Sequence, residues 1–100
     1  MEKSKYRLVD WSASIFHGMP IMLWGYVFGN PKFPDKTFIH TSTLLNAVDC
    51  GDHKEVETKN SIYCIYPDEI LPAFKSEQPD FYNTLEGKTL YENYKIDRRD

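Results

Sequence analysis

The side chains from which this sequence could build chemistry are three histidines, two cysteines and a run of hydroxyls. The run TFIHTSTLLN, residues 37 to 46, sets His40 among Thr37, Thr41, Ser42 and Thr43. Cys50 and His53 have the C-x-x-H spacing of half a zinc site, and Cys64 follows as the only other thiol. A Cys64–His40 pair would be a thiolate nucleophile with its base, and Ser42 or Asn60 could orient the imidazole. A Ser42–His40 pair is weaker. The two residues share a strand face, but no third group and no strained nucleophile turn accompany them.

Whether these groups meet depends on the elements that carry them. Residues 37 to 66 read as one long antiparallel hairpin around the turn signal DCGDHK, residues 49 to 54. With the turn near Gly51 and Asp52, facing positions sum to about 104, so Cys64 lies opposite His40. In the second strand Val56, Thr58, Asn60, Ile62 and Cys64 share the buried face, and Glu55, Glu57, Lys59 and Ser61 the solvated one. The same register puts the two cysteines about 30 Å apart along the ladder. A disulfide needs Cα atoms within about 7 Å, so two free thiols and a reducing compartment are expected. A second ligand pair for the half zinc site is equally distant, and His17 has no spacing relation to it. The expectation is therefore no metal and no cofactor. A strand cysteine with no oxyanion hole in view packs as a small hydrophobe.

Around this hairpin the expected architecture is α+β. Asp10 can cap a short N-terminal helix, WSASIFH, with Leu8, Trp11 and Ile15 on one side. Gly18 suits the left-handed position after that helix, and Pro20 ends it. IMLWGYVFG, residues 21 to 29, reads as a strand, and PKFPDK as a proline-bounded loop. Beyond Pro67 the pattern turns helical, with DEILPAFK limited by Pro72 and PDFYNTLEG opened by Pro79 and closed by Gly87. The end of the chain fits either a helix, with Thr89 and Glu92 as a capping box, or a strand carrying Leu90, Tyr94 and Ile96. The prediction is a three- to five-stranded antiparallel sheet with the helices on one face or end.

Composition narrows the function. One hundred residues with seven Tyr, six Phe and two Trp make a single domain that can fold without disulfides or metal. No apolar run can span a bilayer, and the charged start MEKSKYRLVD lacks a secretory pattern, so a cytoplasmic protein is expected. Residues 1 to 66 carry seven acidic and seven basic side chains, whereas residues 67 to 100 carry eight acidic against five basic. That balance disfavours direct nucleic-acid binding, which needs a basic stripe. Glu55 and Glu57 read as a solvated edge beside Lys54 and Lys59, and Asp68 and Glu69 as residues that favour a helix start. Aromatics crowd the acidic last third, and short helices cannot bury all of them. Asp68, Glu69, Phe74, Glu77, Asp80, Tyr82, Tyr91 and Tyr94 are therefore the expected partner-binding residues.

The middle of the chain carries a further signal. Val27, Phe33, Ile39, Thr41, Ser42 and Leu44, then Glu57-Thr58-Lys59-Asn60 with Ile62 and Tyr63, form an I-x-T-S-x-L and E-T-K-N-x-x-Y strand pair. This pattern resembles a family of small uncharacterised bacterial and prophage proteins. It covers about residues 24 to 66, with Lys36 where the pattern has glycine. The resemblance implies no activity, only a setting of mobile elements. It suggests an accessory protein that binds a host protein or nucleoprotein complex, such as an anti-CRISPR-like inhibitor of bacterial defence. The expected function is thus a non-catalytic protein-interaction module, in which acidic residues such as Asp68, Glu69, Glu77 and Asp80 could meet a basic channel. The alternatives are a small enzyme using Cys64 and His40, and a nucleic-acid-binding accessory protein. Self-association through a hairpin edge is a further option.

Overall fold

The computed structural model describes residues 3 to 88. It corrects the α+β expectation to a mixed sheet. Strands β1 (Lys5–Phe16), β2 (Met19–Phe28), β3 (Thr37–His40), β4 (Leu44–Asp49), β5 (Lys54–Thr58) and β6 (Ile62–Ile65) are joined by a two-residue β7 (Gly87–Lys88). Their order is β3-β2-β1-β6-β5-β4-β7, with β1 and β6 parallel and the other pairs antiparallel. Among the described residues beyond Pro67, the helical structure before β7 is a 3-10 turn (Pro67–Glu69) and two short helices, α1 (Pro72–Glu77) and α2 (Phe81–Thr84). Among the described residues, no helix is long and apolar enough to cross a membrane. The alternatives for Thr89 to Ile96, and the residues Tyr91 and Tyr94, lie outside the described residues.

The expected N-terminal helix is the second half of β1. Its helix-like spacing comes from a β-bulge. Asp10 takes a positive φ of 52°, and the register jumps between Val9 and Ser12. The extra residue sends both Leu8 and Trp11 inward, three positions apart instead of two. Gly18 is left-handed as expected, but with His17 (φ 53°) it forms a two-residue hairpin loop, and Phe16 pairs Met19. Gly25 is needed where β2 crosses β1, because a Cβ there would meet Leu8 Cγ at 2.8 Å.

The long hairpin is in fact four strands. Its inner part is a true hairpin, with Asp49 opposite Lys54 and Ala47 opposite Val56, a register sum of 103. Outside that, the chain breaks twice, each time at a threonine. Thr41 Oγ1 accepts from Leu23 N–H at 3.0 Å and donates to Ser42 O at 2.8 Å, which ends β3 on β2. Thr58 Oγ1 accepts from Ser61 N–H at 3.1 Å and donates to Ser61 O at 3.0 Å, which ties the turn into β6. A hydroxyl that satisfies backbone groups in this way competes with the ladder and ends the strand. The second turn also inverts the face. Lys54, Val56, Thr58, Tyr63 and Ile65 point inward, while Cys64 lies opposite Glu55 on the outward face.

The core sits on the inner side, where Trp11 is fully buried. Its ring lies 6.0 to 6.3 Å from those of Phe74, Phe81 and Tyr82, and its Nε1 donates to Tyr66 O at 2.9 Å. Lys54, expected on a solvated edge, is only 3% exposed. Its ammonium donates to Tyr82 O at 2.5 Å and Leu85 O at 2.7 Å, carbonyls at the end of α2 where the helical ladder runs out and Tyr82 O has only a long bond from Leu85 N–H at 3.3 Å. One buried cation thus pins α2 to the sheet. The sheet also curls, so that β2 and β4 touch although they lie four places apart in strand order.

Candidate functional site

The uncovered face at the β3 edge is built by alternation. In a strand every second side chain points the same way, so Trp24 and Tyr26 of β2 share a face with Phe38 and His40 of β3. The pairs Trp24–His40 and Tyr26–Phe38 bring their rings within 5.0 and 5.1 Å, and Trp24 and Phe38 stack at 6.0 Å. Trp24 Nε1 donates to Ser14 Oγ at 2.7 Å, which fixes the indole. Phe38 is 53% exposed and Tyr26 39%. Among the described residues β3 is also the outermost strand on this side, so one edge of its backbone is open.

A polar cleft of about 270 Å³ shares His40 with this ladder but is otherwise lined from the inward side of the sheet, by Tyr6, Ile39, Thr41 and Tyr63 among others. His40, Thr41 and Ser42 line one side, Asn60 and Tyr63 the other, and Phe33 lies at its rim beside Lys32. Among the described residues no carboxylate lines it. Thr41 is occupied by the backbone, as described above. The Ser42 hydroxyl is buried and has no hydrogen-bond partner among the described residues. The loop that carries Phe33 is held by Asp35, which accepts from Gly29 N–H at 3.0 Å, and by Lys36 at φ 72°. That is the left-handed region that favours glycine, the residue of the resembling pattern at this position. Burial raises the Tyr63 phenol, so it is a neutral donor in the cleft at physiological pH.

The proposed catalytic pairs are not assembled. His40 is on β3 and Cys64 on β6, with β2 and β1 between them. Three strand spacings amount to about 14 Å, far beyond proton-transfer reach. His40 Nδ1 lies 3.2 Å from Thr41 O and makes no bond to Ser42. The cysteines are both free, yet the expected 30 Å separation fails because β6 folds back beside β5. Cys50 at the turn and Cys64 both lie by Glu55. Burial first, and the Glu55 carboxylate second, push each thiol above its ordinary value.

The expected partner surface is divided. Asp68, Glu77 and Asp80 are exposed. Glu69 receives a two-pronged ion pair from Arg7, which in turn lies over the Tyr66 ring. Phe74 is a core residue, and Tyr82 is half-buried against Trp11. Trp24, Tyr26 and Phe38 escaped the sequence reading, although the W-x-Y and F-x-H alternation would have exposed them once those two strands were paired. A larger depression of about 680 Å³ lies between the β1–β2 tip and α2, and of the expected partner residues only Asp80 lines it. Compared with known proteins, the chain matches no family model, no curated protein and no solved structure.

Proposed function

We propose that the chain is a non-catalytic protein-interaction module whose β3 edge takes up an extended segment of a partner protein. The observation that carries this reading is the exposed ring ladder Trp24–Phe38–Tyr26 beside an open strand edge. Strand addition supplies main-chain hydrogen bonds that do not depend on the partner's sequence. Rigid aromatic rings supply the anchoring energy, because they bury much area with little rotamer entropy to lose. The cleft adds selectivity through Ser42, His40 and Lys32, which favour a polar or acidic side chain in the partner. A partner from a host defence complex is the version that the prophage-type resemblance favours. Exposed Asp68, Glu77 and Asp80 could then form a second, electrostatic contact.

The basic side chains at the start of β1 and just before it speak against a nucleic-acid surface. Lys3 pairs with Glu57 at 2.7 Å, Lys5 with Glu55 at 3.1 Å, and Arg7 with Glu69. Each is neutralised within the chain, so this row of cations is not free to track a phosphate backbone. The test is selection from a displayed library of short random peptides, with wild type and Phe38→Lys as parallel baits. Apolar, strand-forming peptides should enrich on wild type and lose at least about tenfold in affinity on the variant. Enrichment that ignores Phe38→Lys, or none at all on the folded wild type, overturns the reading.

A further inference from the structure

We propose that Cys50, His53 and Glu55 form a zinc(II) site at the β4–β5 turn, closed by Cys64 on β6. This end of the sheet is remote from β3, and the proposal is independent of the interaction reading. The Cys50 sulfur, a His53 ring nitrogen and a Glu55 carboxylate oxygen all lie within 4.8 Å of one another. Tetrahedral zinc, with bonds of about 2.0–2.3 Å, holds its donors roughly 3.3–3.8 Å apart, so a small rotamer adjustment closes the set. Cys64 faces Glu55 directly across the β5–β6 ladder, where paired Cβ atoms lie about 4.5–5.5 Å apart. It brings a second sulfur to the same outward face. Two sulfurs, an imidazole and a carboxylate suit a borderline-soft cation such as zinc rather than calcium or magnesium.

The turn is preorganised for this task. Cys50 N–H donates to His53 O at 2.8 Å, and Asp49 Oδ1 accepts from Gly51 N–H at 2.9 Å. Asp52 Oδ1 sits 2.7 Å from His53 Nδ1, which leaves Nε2 facing Glu55 Oε2 at 3.6 Å. A carboxylate on the far nitrogen is the usual device for fixing the tautomer of a metal-binding histidine. The Tyr66 ring stacks on the imidazole at 5.0 Å and holds its plane. One group competes. Lys5 Nζ lies 3.1 Å from Glu55 Oε2, but its side chain is half exposed and free to swing into solvent.

The experiment is a cobalt(II) titration of the reduced full chain followed by absorption, with zinc(II) added back at the end. The expected result is one equivalent bound, a sulfur-to-cobalt charge-transfer band and tetrahedral visible bands, all abolished by zinc. Cys50→Ser and His53→Asn should weaken binding by roughly a hundredfold or more, with the far-ultraviolet circular dichroism unchanged. Cys64→Ser should halve the charge-transfer intensity, and Asp52→Asn should cost roughly tenfold to a hundredfold. Lys5→Ala, which deletes the competing cation, should tighten binding. The proposal fails if the reduced wild type gives no charge-transfer band, or if the band survives at full strength in folded Cys50→Ser. A full band in Cys64→Ser removes Cys64 from the ligand set.

Discussion

The two tryptophans sit on opposite faces of the same sheet and have opposite fates. Trp11 is enclosed by Phe74, Phe81 and Tyr82, with its indole N–H on a backbone carbonyl. Trp24 has a similar company of rings, Phe38 and His40, and its indole N–H on Ser14, yet nothing covers Phe38 among the described residues. The difference lies in the chain beyond Pro67. Its two helices fold onto the Trp11 side, and among the described residues no comparable element reaches the other face. An aromatic cluster covered by its own chain is a core. One left open by the described residues keeps its rings in contact with water.

The largest expected effect tests that contrast directly. Trp11→Ala should remove about 3–5 kcal/mol, a large share of the stability of a domain this size. Trp24→Ala should cost about 1 kcal/mol or less, because its ring is already partly in water. Urea denaturation of both variants measures the gap. Equal losses would mean that the β3 face is as much a core as the Trp11 face, and the docking surface would go with it.

Lys54 comes next, since it is the polar fastening that keeps the covered face covered. Lys54→Met preserves the apolar stem and deletes the ammonium that serves Tyr82 O and Leu85 O. Tyr82 O keeps its long bond from Leu85 N–H, so the loss falls mainly on Leu85 O and should cost about 1–2 kcal/mol. Hydrogen exchange should quicken in α2 more than in β2. Uniform quickening would show that the helix does not depend on this lysine.

Phe38→Lys sharpens the other half of the comparison. Its side chain already faces solvent, so thermal stability should change by no more than about 0.5 kcal/mol while peptide capture is lost. A large destabilisation would again return the ladder to the core.

Sequence reasoning reached the strand content of residues 21 to 29 and the hairpin turn at Gly51 but misplaced the elements around them. Leu8 and Trp11 look helical only because the bulge at Asp10 adds a residue between two inward positions. Gly18 serves a helix end and a hairpin loop equally well, so its left-handed preference could not decide between them. The breaks at Thr41 and Thr58 depend on hydroxyl–backbone bonds that β-propensity counts in favour of continuing the strand. Their consequence is large, because the second break inverts the face of Cys64. That inversion separates it from the core pattern and places it beside Glu55. For the same reason His40 pairs with Trp24 of β2 and not with Cys64, which the return of β6 brings opposite Glu55.

The smallest effect concerns those thiols. Burial raises Cys64 most, Glu55 adds to it, and the cations Lys5 and Arg7 offset only part. Cys50 is raised by the same leading causes. A raised thiol keeps its proton at neutral pH, so the thiolate fraction falls below that of free cysteine. Iodoacetamide should therefore modify the native protein more slowly than free cysteine at neutral pH, with a chelator present to remove metal protection. The rate should climb as pH rises through and beyond the ordinary thiol range. Glu55→Gln removes the carboxylate repulsion and should quicken both cysteines by less than about tenfold, since burial, the larger cause, remains. Rapid native-state alkylation of Cys64 at neutral pH would contradict this assignment and restore it as a nucleophile, with a base other than His40.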